Sequence, residues 1–335
     1  MIIAGIFLTI IVSMNNAVKT LCALQPPLPQ PQRTAASAVL VTGSTDGIGM
    51  TTAKNMAING YDVLIHGRDA DRIEKAKKTI QNDLDNITKN NNNNKGSKIV
   101  ALPPRDISTM EGCTDLVNDV KKVCKEESLQ LSVLMNNAGV YSEKKVLTSQ
   151  GLEQTFAVNV LGTFVITSHL LPILLKQPKS RIVIASSVSQ CRTVRDWDDL
   201  HYYTTRPYSA HSAYSESKLL DAMLTMEFAD RLQKAGFPTT KITANCLDPG
   251  TVNTKMLLAG WGPIGIQVDD AFDETWLCSS PEVDGMTGKY YVSKNERGSS
   301  SSYNQSERDK MWKILSTLAP EAAAMWDFEW SKQAY

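Results

Sequence analysis

The sequence predicts an α/β protein: a doubly wound parallel β-sheet flanked by helices on both faces, in a single domain. Three observations predict it. Short apolar runs recur along the chain, amphipathic helical stretches lie between them, and a glycine-rich turn follows the first run. Strands buried on both faces read as continuous apolar runs, and their alternation with helices argues for parallel pairing with right-handed crossovers.

The predicted strands cover residues 38–42, 61–66, 99–102, 131–136, 181–185 and 241–247. Each is a short run without room for a helix. Helical stretches are expected at 70–86, 151–175 and 213–235. Another is expected at 307–318, where Met311, Ile314 and Leu318 share a face. Residues 297–306 are serine-rich and polar and read as loop. The asparagine tract at 90–94 reads as an expanded surface loop, because such a run buries too little to offset the entropy of ordering.

The first residues stand apart. Residues 1–12 form an apolar run without a charged side chain, broken at Ser13-Met14-Asn15-Asn16. That length fits a signal-peptide core and is short for a membrane span. We therefore expect residues 1–24 to be a signal peptide or an N-terminal anchor, 25–36 a proline-rich linker, and 37–335 the folded domain. This leader points to the secretory pathway or the endoplasmic reticulum membrane, with a plastid as the alternative. Membrane association would run through the N-terminus.

The 335 residues are 42% hydrophobic, enough for a full core, and 35 basic residues balance 35 acidic ones. No basic excess argues for a nucleic-acid partner. Cys22, Cys113, Cys124, Cys191, Cys246 and Cys278 are scattered, with no CxxC pair. This spacing argues against a metal site and against a disulfide framework, leaving a Cys113–Cys124 bridge open. The four histidines show no metal spacing, and His211 is expected to be structural or on the surface.

The chemistry begins after the first strand, at Gly43-Ser44-Thr45-Asp46-Gly47-Ile48-Gly49. Glycines let a backbone approach a pyrophosphate, and the helix that follows favours its charge. The spacing is G-x3-G-x-G, not G-x-G-x-x-G. An NAD site would place a carboxylate at the end of the next strand, about 20 residues on. Here that strand ends Leu64-Ile65-His66-Gly67-Arg68, without one. The Arg68 guanidinium suits a ribose 2′-phosphate, so NADP(H) is the expected cofactor. Asp69 could pair with Arg68 and Asp46 lies in the turn; both weigh against that reading.

Tyr214 and Lys218 stand at i and i+4, on one helix face. A phenol with pKa near 10 is a poor base at neutral pH, and a neighbouring ammonium favours its ionised form. Around this pair stand Asn136-Asn137-Ala138-Gly139, Phe156-Ala157-Val158-Asn159, Ile184-Ala185-Ser186-Ser187 and Asp248-Pro249-Gly250-Thr251-Val252-Asn253-Thr254.

In that order these motifs strongly resemble the short-chain dehydrogenase/reductase family, from about residue 37 to the C-terminal helix. The resemblance implies a Rossmann-type fold and interconversion of an alcohol and a carbonyl. It implies that Tyr214 is the acid/base and that Lys218 binds the nicotinamide ribose and lowers the tyrosine pKa. Ser187, rather than Ser186, would hydrogen-bond the substrate oxygen, and Asn159 would hold a water in a proton relay. Gly43, Ser44, Asp46, Gly47, Ile48, Gly49 and Arg68 would bind cofactor. Asn137, Ala138 and Gly139 would line its adenosine side, with Asp106 and Ile107 near the adenine. Pro249, Gly250 and Thr254 would sit by the nicotinamide and pyrophosphate. Family members are dimers or tetramers, so a homo-oligomer is expected unless a membrane leader keeps the chain single.

A long segment separates Ser187 from Tyr214, with Asp196-Trp197-Asp198-Asp199-Leu200 and Tyr202, Tyr203 and Tyr208. Together with Thr287-Gly288-Lys289-Tyr290-Tyr291, it resembles the retinol-dehydrogenase-like and WW-domain-oxidoreductase-like branches. That implies lipid or isoprenoid alcohols and carbonyls as substrates. Residues 255–284, with Met256, Leu257, Leu258, Trp261 and Trp276, are expected to form a lid, unless Trp276 and Leu277 are core. An inactive nucleotide-binding sensor or scaffold is the alternative function, and the complete Asn159, Ser187, Tyr214 and Lys218 set disfavours it.

Overall fold

The computed structural model describes residues 37–88, 96–202, 206–298 and 302–328. The expected leader and linker at 1–36 and the asparagine tract at 90–94 lie outside the described residues.

Six strands match the six apolar runs closely: β1 (Ser37–Val41), β2 (Asp62–Ile65), β3 (Ile99–Ala101), β4 (Gln130–Asn136), β5 (Ser180–Ala185) and β6 (Ile242–Asp248). β7 (Lys289–Val292) and β8 (Asn295–Arg297) complete an eight-stranded sheet of order β3-β2-β1-β4-β5-β6-β7-β8. Every neighbouring pair is parallel except the β7–β8 hairpin. The strand order reverses between β1 and β4. At such a switch point the loops beyond the carboxyl ends of the strands part and leave a crevice.

The helices are α1 (Gly47–Ile58), α2 (Ala70–Thr88), α3 (Met110–Glu126), α4 (Gln154–Lys176), α5 (Ala210–Lys234), α6 (Lys255–Gly260), α7 (Asp273–Ser279), α8 (Gln305–Leu318) and α9 (Pro320–Ala324). α1, α2 and α7 pack together on one face of the sheet, and α3, α4, α5, α8 and α9 on the other. α4 is long and apolar enough to cross a membrane by composition, yet 83% of its apolar window is buried inside the protein. It is the core helix of its layer.

One expectation is corrected, and two alternatives that the sequence leaves open are closed. Residues 297–306 are not all loop: Arg297 ends β8, and Asn304 caps α8 by accepting a hydrogen bond from the Glu307 N–H. Cys113 and Cys124 are both free. They sit eleven residues apart on α3, about 16 Å along its axis, beyond any disulfide. Within the segment expected to form a lid, Trp276 and Leu277 of α7 are 4% and 0% exposed and belong to the core.

Candidate active site

The loops at the carboxyl ends of β1, β2, β4, β5 and β6 enclose a cleft of about 500 Å³. Its first wall is the glycine turn. Gly43 and Gly47 take φ of +67° and +55°, a left-handed backbone that favours glycine. A Cβ on Gly49 would lie 2.2 Å from Asn137 Nδ2 and 2.6 Å from the Gly43 carbonyl oxygen. The turn is therefore closed against β4. Asn137 fastens it by donating to the Thr42 carbonyl (2.8 Å), and Thr42 Oγ1 accepts from the Ala138 N–H (3.0 Å).

His66, at the end of β2, holds the same turn. Its Nδ1 accepts from the Gly43 N–H (3.1 Å) and its Nε2 lies 3.1 Å from the Arg105 carbonyl. These partners require an unprotonated Nδ1 and a protonated Nε2. The imidazole is thus neutral, and burial lowers its pKa to about 4. Sequence reasoning passed over His66, because a lone histidine at a strand end carries no signal of its partners.

Of the residues expected at the cofactor, Gly43, Asp46, Gly47, Ile48, Gly49, Arg68, Asp106, Ile107, Asn137, Ala138, Gly139, Pro249, Gly250 and Thr254 line the cleft. Ser44 does not. It is fully buried, and its Oγ accepts from the His66 N–H (3.0 Å). Thr45 lines the cleft in its place. Asp46 caps α1 by accepting from the Gly47 N–H, and it pairs with Arg72 (3.1 Å) and Lys255 (2.6 Å). These two cations hold its carboxyl below the ordinary carboxylate range, Lys255 most strongly. Asp69 accepts from the Arg72 N–H and is not paired with Arg68. Arg68 is exposed at the mouth.

The second group gathers where β5, β6 and α5 meet. Tyr214 is 8% exposed, and Lys218 Nζ stands 5.7 Å from its ring centroid. Lys218 Nζ donates to the Ala185 carbonyl (2.8 Å) and pairs with Asp221 (2.9 Å), all within the buried floor. Ser187 lines the cleft with Tyr214, its Oγ accepting from the Ser189 N–H (3.0 Å), whereas Ser186 donates to the Lys218 carbonyl (2.7 Å). Burial pushes the Tyr214 phenol above its ordinary pKa. Lys218 and Ser187 pull it down, while Asp221 and Asp248 push it up. The net shift is upward, so without cofactor the lysine alone does not make this phenol a ready base.

Asn159 lies behind the cleft, on a π-helical stretch of α4 spanning Ala157–Gly162. Such bulges turn side chains off the regular helical face. Here Asn159 Nδ2 donates to Ser217 Oγ (2.9 Å), and its Oδ1 accepts from the Val140 N–H (2.8 Å). It joins the strand end after β4 to the tyrosine helix.

Trp261, beyond α6, packs against Tyr214, Tyr141 and His211 with ring centroids 5.6, 5.1 and 4.9 Å away. The Tyr141 hydroxyl and His211 Nδ1 are 2.9 Å apart. His211 thus stands at the mouth of the site, in an aromatic group that sequence reasoning did not assemble. The inserted segment braces α5 from outside. Tyr202 donates to Glu216 (3.0 Å), Arg206 binds both oxygens of Glu216, and Trp197 donates to Glu307 (2.9 Å). Glu216 lies between Tyr214 and Lys218, so the insertion steadies the turn of helix that carries both.

Comparisons with known proteins identify the family. The family model for short chain dehydrogenases matches residues 37–259. Retinol dehydrogenase 14 of Homo sapiens is 31% identical over 298 residues, covering 84% of this chain and 85% of that protein. Polyprenol dehydrogenase of Homo sapiens is 31% identical over 301 residues, covering 85% and 84%. Among solved structures, an uncharacterized protein from Mycobacterium paratuberculosis superposes with a TM-score of 0.66 at 23% identity, covering 87% of this chain and 96% of its own. A short chain dehydrogenase from Shigella flexneri complexed with NADP gives 0.58 at 21%, covering 80% and 100%. At those identities the structures speak to the fold. From its sheet, its cleft and its relatives, the chain belongs to the short-chain dehydrogenase/reductase family of oxidoreductases, in the retinol-dehydrogenase-like branch.

Proposed function

We propose that this protein interconverts an alcohol and its carbonyl with NADP(H), on a hydrophobic lipid or isoprenoid-type substrate. The observation that carries the reading is the grouping of Tyr214, Ser187 and Lys218 at one end of a glycine-walled cleft with Arg68 at its mouth. The cleft fits a dinucleotide. Gly43 and Gly47 leave its wall bare of side chains beside the α1 N-terminus, which favours a pyrophosphate. Arg68 brings positive charge to the side where a 2′-phosphate would bind. Asp46 is already neutralised by Arg72 and Lys255, so it opposes that phosphate less than its charge suggests. When bound, the nicotinamide supplies or accepts the hydride.

The protein's part is to hold the substrate oxygen and move its proton. Ser187 and Tyr214 line the same end of the cleft and would share one substrate oxygen between them. In reduction Tyr214 gives its proton to that oxygen as charge develops there; in oxidation it takes the proton away. Lys218 stays charged beneath the ring and stabilises the phenolate left behind. Asn159 orients the segment from Gly139 to Val140 against α5. A single water held there would extend the proton path.

Met256, Leu257, Trp261 and Ile264 line the substrate side; Val188 and Ile264 of the cleft lining remain 56% and 68% exposed, and Leu258, next to Leu257 on α6, is 50% exposed. Such a rim suits a long apolar substrate. The named activities of the relatives, retinol and polyprenol dehydrogenases, support the same class. The apolar run at residues 1–12 supports attachment to an endoplasmic reticulum membrane; fractionation of the tagged chain would instead place it in a plastid if that alternative holds.

Fluorescence titration of the full-length protein with NADPH and NADH, followed by turnover of retinal and other long-chain aldehydes, tests the reading. NADPH should bind more tightly, and Tyr214→Phe should bind it unchanged. That variant should lose turnover by about 10²-fold or more. Retained turnover would remove Tyr214 from the chemistry. Binding without turnover of any aldehyde would favour a sensor.

A further inference from the structure

Lys218 does not stand free beneath Tyr214. Asp221, one helical turn further along α5, is 1% exposed, and its Oδ2 lies 2.9 Å from Lys218 Nζ. Its other oxygen, Oδ1, is buried without a hydrogen-bond partner. A buried carboxylate with half its acceptors idle is costly, and a structural anchor for a lysine does not require one. The Ala185 carbonyl already holds the same ammonium at 2.8 Å.

What the carboxylate adds is charge. A lone ammonium presents a full positive charge to the phenol; an ammonium paired with a carboxylate presents a dipole, whose effect at the phenol is smaller. We propose that Asp221 is a positioning residue for the reaction, holding Lys218 in the floor of the cleft while moderating the charge that reaches Tyr214. Tyr214 thereby keeps its proton to a higher pH than it would beside a lone ammonium. This inference rests on the Tyr214 role stated above.

The charged and titratable groups around the pair can be named. Tyr214 and Lys218 lie with Asp221 on α5; Cys246 and Asp248 face them from β6. Glu274 faces them from α7, where Thr52 of α1 donates to its Oε2 (2.8 Å). Burial raises Asp221 to about 6 and Glu274 to about 7, so Asp221 is ionised in the neutral and alkaline range where the phenol titrates. Burial works against the charge on Lys218, but Asp221 and the Tyr214 phenolate outweigh it and raise its pKa above the ordinary lysine value.

The variant Asp221→Asn keeps the size and an acceptor for Lys218 while removing the charge. With ¹³Cζ-tyrosine labelling, and Tyr214→Phe to assign the signal, NMR follows Tyr214 in the full-length protein with and without NADP⁺. We expect the Tyr214 titration in Asp221→Asn to move about one pH unit lower than in wild type, with NADP⁺ affinity unchanged, and Asp221→Glu to restore it. With retinol as the alcohol probe, the acid limb of kcat/KM should move the same way. An unmoved Tyr214 titration would overturn the proposal, as would an upward move, which would mean that Lys218 had lost its proton. If Asp221→Asn does not fold, the wild-type titration decides: without cofactor Tyr214 should titrate at or above the ordinary value of about 10, and a value well below it would overturn the proposal. Absence of retinol turnover with the expected titration would count against the substrate class alone.

Discussion

The two walls of the cleft are held in different ways. The glycine-turn wall is tied by hydrogen bonds among Gly43, Thr42, His66 and Asn137, and the turn closes tightly against β4. The opposite wall, formed by the segment from Val252 to Ile266, is fastened at its base. There Asn253 Nδ2 donates to the Gly265 carbonyl (2.7 Å), and Asn253 Oδ1 accepts from the Gly265 N–H (2.8 Å). Beyond that base, α6 has no buried residue. One wall is therefore specified by the core and the other by what comes to lie against it. A dinucleotide has one shape and suits the first wall; apolar substrates of varied length suit the second.

The sharpest way to break the first wall is Gly49→Val. Its Cβ would fall 2.6 Å from the Gly43 carbonyl oxygen, a backbone atom that cannot swing aside. Overpacking of this kind costs about 1–3 kcal/mol, and the turn must open to relieve it. Thermal unfolding should show the loss, and NADPH titration should show affinity lowered by on the order of a hundredfold. A variant that bound NADPH normally would mean that the turn is pliable and the comparison wrong.

His66 offers a second break, through pH. A buried neutral histidine binds its proton only at about pH 4, whereas the unfolded chain binds it near 6.5. Between those values the unfolded state carries more protons, so this residue's contribution to stability is present above 6.5 and is lost as pH falls toward 4. A shift of that size is worth on the order of 3 kcal/mol. Glu274, raised to about 7, and Asp221, raised to about 6, have the opposite sign and lose stability as pH rises. The informative quantity is accordingly the difference between wild type and His66→Asn, whose amide oxygen can still accept from Gly43. Denaturant unfolding from pH 7 to 4 should show wild type falling more steeply than the variant. Parallel curves would mean that His66 takes up its proton alike in the folded and unfolded chain.

The sequence carried one wall better than the other. Six strands, the glycine turn and the Tyr214–Lys218 spacing were legible because each is a local pattern: an apolar run, a turn, two residues four apart. The Lys218–Asp221 pair, three residues apart on the same helix, was equally open to reading by spacing. His66 was not, since its partners Gly43 and Arg105 lie 23 and 39 residues away. Ser44 was assigned to cofactor by its place in the turn, but strand pairing turns its hydroxyl inward to β2. The hairpin of β7 and β8 is too short for periodicity to register, and apolar content alone left Trp276 open between lid and core until α7 placed it in the core.

The smallest effect is expected at the second wall. Leu258 and Ile264 are half or more exposed and contribute little to the core, so changing both to serine should alter stability by no more than about 0.5 kcal/mol. NADPH affinity should not change, because the glycine-turn wall is untouched. If a long apolar chain covers these side chains when it binds, each contributes about 1 kcal/mol. The double variant should then raise KM for a long-chain aldehyde by on the order of tenfold or more and leave a short aldehyde unaffected. Equal effects on both aldehydes would place the two residues in closure of the wall rather than in contact with substrate. No effect on either would remove the exposed rim from recognition and leave Met256, Leu257 and Trp261, deeper in the cleft, to supply it.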